Sequence, residues 1–292
     1  MALIKSVVNL ILKEHGHYKF SGPLLALGVP DVYATPAELK SWLKTYSLPG
    51  AVQENAAVSG RMGFVDAKTF FNTLGFRDVT TADIPGCTLK PDIYHDMNQP
   101  FPKELEGKFQ CVLDPGTTEH VFDVKTCFTN IVNSLAINGV VIHEVPIYSY
   151  NGGYFSINPQ VLFDFYSING FEDLKGYIVM WDRYLPYAAL NKVYEYNFEA
   201  LGPRHALADR DQCRYTPHLL FFARKVKKVE RLLVPIQKVV YLPQRPKSAN
   251  PLVSRIKKFI LEIVPFQVIM YFLQRSERER SLKRTKKFSF KA

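Results

Sequence analysis

The chain has 292 residues, of which 47% are hydrophobic and 13% are aromatic. This composition can bury a substantial core and excludes a chain that is disordered throughout. The formal net charge of +10 is concentrated at one end, since residues 229–292 hold 15 basic and 4 acidic side chains. The basic tail favours a phosphate-bearing partner, which could be a membrane face, a nucleic acid or an anionic substrate.

The N-terminal segment is typical of an amphipathic helix. We expect the protein to stay inside the cell. The segment is too short to span a bilayer, Lys5 interrupts its apolar run, and no small-residue cleavage site follows. The cysteines show neither a CxxC motif nor a Cys/His spacing suited to zinc, so we expect a reducing cytoplasm and no metal site. The apolar face of the predicted helix consists of Leu3, Ile4, Val7, Val8, Ile11 and Leu12.

Short apolar runs then alternate with segments of helical periodicity. Parallel neighbours need crossover connections, so this alternation predicts a mostly parallel, Rossmann-like α/β sheet of seven strands with helices on both faces. We predict an α/β domain over residues 1–228 and a basic, amphipathic helical extension over residues 229–292. The predicted strands lie at 23–30, 78–84, 91–96, 109–114, 140–146, 177–181 and 218–224, and the helices at 36–48, 65–74, 124–135 and 159–167.

Polar residues fall at the carboxyl ends of the predicted strands, where such sheets bind ligands. Carboxylates in these positions suit a ribose or an amine, although an Asp after a strand is equally typical of a turn or a helix cap. His143 lies within an apolar strand and is predicted to be buried and hydrogen-bonded. The other candidates are Gly28, Asp31, Asp83, Asp96, Asn98, Asp114, His120 and Glu144.

The segment from Leu113 to Asp123, with its Glu-His-Val turn, resembles class I S-adenosylmethionine-dependent methyltransferases. In that family the fourth strand is followed by such a turn, a helix and a Leu-x-x-Gly-Gly step, here Leu135-Ala-Ile-Asn-Gly139. Residues 153–171 are similar to the family's approach to its sixth strand, and the resemblance covers about residues 20–228. It implies S-adenosylmethionine as the cofactor.

The turn after the first strand departs from the family pattern. The family usually has acidic-x-Gly-x-Gly there, whereas this chain has Ala26-Leu-Gly28-Val-Pro-Asp31. A single glycine gives less backbone freedom, and Pro30 removes an amide donor. Two alternatives follow: an active methyltransferase, or a catalytically silent binding or scaffold protein of the same fold.

The resemblance implies a role for each candidate residue. Asp83 corresponds to the ribose-binding acidic residue and Asp96 to the residue near the adenine amine, and the remaining cofactor candidates are Gly28, Asp31, Asn98 and Asp114. His120 is the candidate base for a hydroxyl acceptor, such as a sugar in surface glycan synthesis, and Glu144 would orient the base or the substrate. A hydroxyl needs this help because it is a poor nucleophile until its proton leaves. His120 could instead satisfy backbone groups at a helix start.

The loop after the fifth strand carries three tyrosines next to two glycines. Tyr148, Tyr150 and Tyr154 could line an acceptor pocket, with the glycines allowing the loop to close as a lid. The alternative is an ordinary surface loop held by its tyrosines.

The tail combines an apolar segment, Pro251 to Gln274, with a basic cluster, Arg275 to Lys291. Such a segment could lie on an anionic membrane surface, which would place the protein at the inner face of the membrane. The alternative is an added helix packed on the domain or on a second copy of the chain. Nucleic-acid binding is less favoured, because no recognition motif accompanies the charge.

Overall fold

A computed structural model describes residues 2–50, 58–59, 63–87, 90–149, 152–182, 184, 190–196, 214–236 and 285–288. The helices in this part of the chain are α1 (Lys5–Tyr18), α2 (Pro36–Thr45), α3 (Ala67–Thr73), α4 (Val124–Ser134) and α5 (Pro159–Ile168). The strands are β1 (Ala2–Leu3), β2 (Gly22–Leu27), β3 (Asp31–Val32), β4 (Val58–Ser59), β5 (Phe64–Val65), β6 (Phe76–Asp83), β7 (Ile93–Tyr94), β8 (Phe109–Asp114), β9 (Leu135–Pro146), β10 (Phe171–Asp182), β11 (Lys192–Tyr196), β12 (Tyr215–Lys225) and β13 (Thr285–Phe288). Single 3₁₀ turns lie at Lys103–Leu105 and Thr118–His120.

The main sheet has the strand order β13-β11-β10-β12-β9-β8-β2-β6-β7. Strands β7, β6, β2, β8 and β9 pair in parallel. Strand β12 is antiparallel to both β9 and β10, so β10 runs in the same direction as the parallel group. All seven predicted strands are present and six of them run the same way, which confirms the predicted mostly parallel α/β fold.

The sheet contains nine strands in the described residues, which corrects the predicted count of seven. The two additional strands, β11 and β13, extend the edge beyond β10, and β13 lies within the tail that was predicted to be helical. Lys286 of β13 pairs opposite Glu195 of β11. Both strands are short, and a partner strand must supply their backbone hydrogen bonds, so local periodicity does not identify them. The predicted apolar segment 251–274 lies outside the described residues.

Helices cover both faces of the sheet, as predicted. Helices α1, α2 and α3 pack on the face to which Leu113 and Ile142 point, whereas α4 and α5 pack on the face of Val112 and Val141. Side chains alternate along a strand, so neighbouring residues of β8 and β9 contribute to different cores. Polar residues at the ends of these strands are therefore distributed between the two faces as well.

Helix α1 is more deeply buried than an amphipathic surface helix. Its predicted apolar face is fully buried, and so are Ser6, Asn9 and Glu14. The Ser6 hydroxyl accepts the Asn191 amide, and Glu14 accepts hydrogen bonds from Lys175 at 3.0 Å and from Tyr177. The burial of Ser6 and Glu14 is offset by these partners, which come from later parts of the chain.

The chain continues to pack on the domain beyond the predicted boundary at residue 228. Val229 and Leu232 contact the core on the α4–α5 face. The Asn169 side chain accepts the Leu233 amide at 2.8 Å and donates to the Leu233 carbonyl at 3.0 Å. The boundary between domain and tail stays a prediction. No helix within the described residues has the length and apolar character needed to cross a membrane.

Candidate functional site

The ends of β2 and β6 place two of the predicted cofactor residues side by side. Gly28 directly follows β2 with φ = 88°, a conformation that favours glycine, and donates its amide to the Ala82 carbonyl at 2.5 Å. Asp83 ends β6, is half-buried, and accepts the Ile84 amide at 2.7 Å. The chain order of the strands reverses at β2, which is where α/β sheets of this kind bind ligands.

The turn after β2 offers few donors to a ligand. The Gly28 amide is occupied by Ala82 and Pro30 has no amide hydrogen, so at most the Val29 amide remains in residues 28–30. Thr117, in the loop after β8, donates its hydroxyl to the Leu27 carbonyl at 2.7 Å and so bridges the two loops at the reversal point. Asp31 is exposed and begins β3, where it pairs with Ala2.

Asp96 and Asn98 lie in the turn after β7 and are bound to each other. The Asp96 carboxylate accepts the Asn98 backbone amide at 2.9 Å and its side-chain amide at 2.7 Å, and these bonds lower the pKa of Asp96. The Asn98 side-chain oxygen accepts the amide of Asp123, the N-cap of α4, at 2.9 Å. In this structure both residues stabilise a turn, and their role in cofactor binding stays a prediction.

Asp114 is completely buried and holds a hydrogen-bonded chain on the α4–α5 face. One carboxylate oxygen accepts the Thr117 and Thr118 amides at 2.8 and 3.2 Å, and the other accepts the Thr118 hydroxyl at 2.5 Å and lies 2.7 Å from His143 Nδ1. His143 Nε2 lies 2.6 Å from the Tyr166 hydroxyl. The prediction of a buried, hydrogen-bonded His143 is confirmed, and Asp114 is the anchor of this turn.

Glu144 forms a second buried pair on the opposite face. One of its carboxylate oxygens lies 2.6 Å from His218 Nδ1, and the His218 ring packs edge-on against Trp181 at 4.7 Å between centroids. Glu144 is therefore paired with His218 and not with His120, the predicted base. Its catalytic role stays a prediction.

Glu119 is a buried carboxyl that the sequence interpretation did not single out. It is 4% exposed, and its Oε2 atom has no hydrogen-bond partner among the described residues. Burial, together with the charges of Asp114 and Glu144, raises the pKa of Glu119 to about 9. The one available signal was its place in the Glu-His-Val turn, next to His120.

The tyrosine loop is attached to the turn that carries Glu119 and His120. His120 is exposed at the end of the 3₁₀ turn Thr118–His120. The Glu119 carbonyl accepts the amides of Tyr154 and Phe155 at 2.8 and 3.1 Å, so the loop is attached to this turn. Tyr148 is exposed, whereas Tyr150 lies outside the described residues.

An exposed aromatic group adjoins this turn. The Phe122 ring is 73% exposed and the Tyr154 ring 69%, and their centroids lie 5.7 Å apart in an edge-to-face arrangement. The centroid of the Phe155 ring lies 6.2 Å from that of Phe122. Among the described residues, no cluster of His, Cys, Asp or Glu is arranged to hold a metal ion.

No protein-family profile and no curated protein sequence matches the chain. Solved structures similar to it include methyltransferases. A putative methyltransferase from Bacillus halodurans has 12% identity and a TM-score of 0.40, and the match covers 75% of this chain and 99% of that one. A 1,6-didemethyltoxoflavin-N1-methyltransferase from Burkholderia thailandensis has 11% identity and a TM-score of 0.37, with 76% and 80% covered. A SAM-dependent methyltransferase from Archaeoglobus fulgidus has 11% identity and a TM-score of 0.36, with 75% and 94% covered. At these identities and TM-scores the likenesses transfer no substrate or residue role to this chain.

Proposed function

We propose that the chain is an S-adenosylmethionine-dependent methyltransferase that acts on a small acceptor. The observation that carries the proposal is the placement of Gly28 and Asp83 at adjoining strand ends, at the point where the strand order reverses. A half-buried carboxylate there can accept both hydroxyls of a ribose, and the glycine lets the cofactor approach the backbone. S-adenosylmethionine would supply an electrophilic methyl group, and the chain's own residues would bind and orient the two reactants.

The proposed acceptor group is a hydroxyl, for example on a sugar used in glycan synthesis. His120 supports this proposal because it is exposed beside the aromatic group of Phe122 and Tyr154, where an acceptor ring could stack. In this position His120 would take the proton that leaves the acceptor hydroxyl. Glu144 would help to orient the substrate through His218, its buried partner.

A specific observation favours a second candidate, a catalytically silent binding protein. At most one amide of residues 28–30 can reach a ligand, and the Thr117–Leu27 hydrogen bond bridges the loops at the reversal point. The first feature leaves few donors for the methionine part of the cofactor. The second ties the two loops together at the place where that part would lie. A protein of this kind would keep the fold and bind other partners.

Calorimetry with S-adenosylmethionine and S-adenosylhomocysteine distinguishes the two candidates. We expect the wild-type chain to bind both ligands, Asp83→Asn to weaken binding about tenfold or more, and Asp78→Asn to bind like wild type. Asp78 is the matched control because it is exposed and lies in the same strand, β6. A folded wild-type chain that binds neither ligand would refute the methyltransferase and leave the binding protein.

The tail supports a further proposal: the protein associates with the inner face of an anionic membrane. Its 15 basic residues supply the attraction, whereas the pairing of Thr285–Phe288 with β11 supports packing on the domain instead. Replacing Arg255, Lys257 and Lys258 by Gln lowers the charge without altering β13. If the membrane proposal holds, this variant floats less with phosphatidylserine vesicles than wild type does; equal flotation contradicts it.

A further inference from the structure

The Glu119 carboxyl is buried, and its Oε2 atom has no hydrogen-bond partner among the described residues. An unpaired polar atom in the interior costs free energy, so native structures rarely keep one without a reason. The carboxyl lies close to the backbone at Gly116, since a Cβ atom added to that glycine would lie 3.0 Å from Glu119 Oε1. Among the described residues, the Oε2 atom is left without a hydrogen-bond partner.

Two other carboxylates act on Glu119. Asp114 and Glu144 lie at the ends of neighbouring strands, on opposite faces of the sheet, and the charge of each raises the pKa of Glu119. Each of them already has a histidine partner, His143 and His218 respectively. Glu119 is the third carboxyl of the group and, among the described residues, has no such partner. A cation bound at Oε2 would give this atom a partner and would offset the repulsion between Glu119 and the other two carboxylates.

The surface next to Glu119 suits the organic part of a cation. Phe122 and Tyr154 are largely exposed, although aromatic rings usually contribute to a core, and Phe155 completes the group. The faces of aromatic rings attract ammonium groups and stack on planar ligands. The backbone amides of Tyr154 and Phe155 donate to the Glu119 carbonyl, so the loop with these two rings is attached to the turn that carries the carboxyl.

Gly153 permits this close approach. A Cβ atom there would lie 2.8 Å from the Glu119 carbonyl oxygen and 2.9 Å from its Cγ atom, so a larger residue would push the aromatic loop away from the turn.

We propose that Glu119 is the anchor for the amino group of a cationic acceptor whose organic part packs on Phe122, Tyr154 and Phe155. This inference rests on the proposed function and names the acceptor class: a small compound that carries an ammonium group in addition to the hydroxyl that His120 would deprotonate, such as an amino sugar. When the ammonium binds, Glu119 gives up its proton to solvent and the pair becomes carboxylate and ammonium. A neutral acceptor of the same shape cannot form that pair.

Two probes of equal shape test the proposal on the full chain: benzyl alcohol, which is neutral, and benzylamine, which is cationic. Calorimetry at about pH 7.5 in two buffers with different ionisation enthalpies reports affinity and proton release together. We expect wild type to bind benzylamine about tenfold or more tightly than benzyl alcohol, with release of a proton on binding the amine. In Glu119→Gln the preference and the proton release disappear, because the neutral amide cannot pair with the ammonium.

Glu104→Gln is the matched control, since Glu104 also lies in a 3₁₀ turn but is exposed. It should retain the wild-type preference and proton release. Phe122→Ala removes an exposed ring and cannot disturb the core, so it keeps the test valid if Glu119→Gln does not fold. It should weaken benzylamine binding severalfold.

The proposal is overturned if wild type binds the two probes equally or binds neither, if Glu119→Gln keeps the preference for the amine, or if Phe122→Ala binds benzylamine like wild type. Binding of S-adenosylhomocysteine, measured on the same samples, separates this outcome from the proposed function. If the chain binds S-adenosylhomocysteine but shows no preference for the amine, the Glu119 anchor is refuted and the methyltransferase proposal stands. Glu119-dependent amine binding without cofactor binding keeps the site and refutes the methyltransferase.

Discussion

The Asp114 carboxylate and the His143 imidazole lie 2.7 Å apart, directly opposite each other on the parallel strands β8 and β9, and both are fully buried. Asp114 also accepts the Thr117 and Thr118 amides, so it connects the sheet to the turn that carries Glu119 and His120. This contact positions the candidate acceptor site on the rigid part of the fold.

Replacing Asp114 by Asn should lower the free energy of unfolding by about 2–4 kcal/mol, because the amide cannot accept all of these hydrogen bonds and would place a donor against His143. Urea denaturation measures the loss. Asp31→Asn, at an exposed position, should stay within about 0.5 kcal/mol of wild type. The hydrogen bonds and the nearby His143 lower the pKa of Asp114 below its usual value of 3.8. Its stabilisation is therefore complete above about pH 4 and is lost as the pH falls further, so the two proteins should converge in acid.

Glu119→Gln should stabilise the protein in neutral and alkaline solution. The pKa of Glu119 is raised from 4.5 to about 9, so the folded state holds a proton that the unfolded state releases. The stability linked to this proton is complete below about pH 4.5 and is lost as the pH rises towards 9. Between pH 6 and pH 8 the variant should gain about 1–3 kcal/mol relative to wild type. A difference that does not change with pH would contradict the buried, protonated carboxyl.

His120→Ala tests the proposed base. With the acceptor that gives the highest turnover, kcat should fall about 10²- to 10⁴-fold while the Kd for S-adenosylhomocysteine changes by less than about twofold. His17→Ala is the control, because His17 is exposed and bonded to Asp173 near the beginning of β10. If His120→Ala lowers cofactor affinity as much as turnover, His120 has a structural role.

Lys225→Met should destabilise the junction between α4 and β9. The buried Lys225 ammonium donates to the Val132 and Leu135 carbonyls, both at 2.7 Å, and thereby satisfies acceptors at the end of α4. Methionine fills the space but leaves both carbonyls without a partner, so we expect a loss of about 1–3 kcal/mol in thermal or urea unfolding. Lys228→Met, in an exposed ion pair with Glu230, should have little effect. Equal stability of the two variants would exclude a capping role for Lys225.

The elements that local patterns specify could be predicted from the sequence. Thr35 caps helix α2 at the predicted start of that helix, since the Thr35 hydroxyl accepts the Glu38 amide and Glu38 accepts the Thr35 amide. The central strands are apolar runs bounded by glycine, proline or polar residues, and the structure confirms each of them. The end of α4 differs from the prediction: β9 begins at Leu135 without an intervening turn, and Asn138 takes a positive φ within the strand.

The chemistry of the candidate site could be predicted only in part. The sequence placed Asp83 and Asp114 at strand ends and identified His143 as buried, because hydrophobic runs and chain breaks are local properties. It did not predict that Glu144 pairs with His218, 74 residues later, or that Glu119 Oε2 has no hydrogen-bond partner among the described residues. These outcomes depend on which residues of distant strands come together.

The sequence by itself determined the class of fold, since alternating apolar runs and helical periods leave a covered, mostly parallel sheet as the arrangement that buries them. Only the tertiary structure decided which carboxyl is left protonated and unpaired, and that the basic tail contributes β13 to the sheet edge. Apolar burial is set by each segment's own pattern, whereas pairing and ionisation depend on partners that folding brings from elsewhere in the chain.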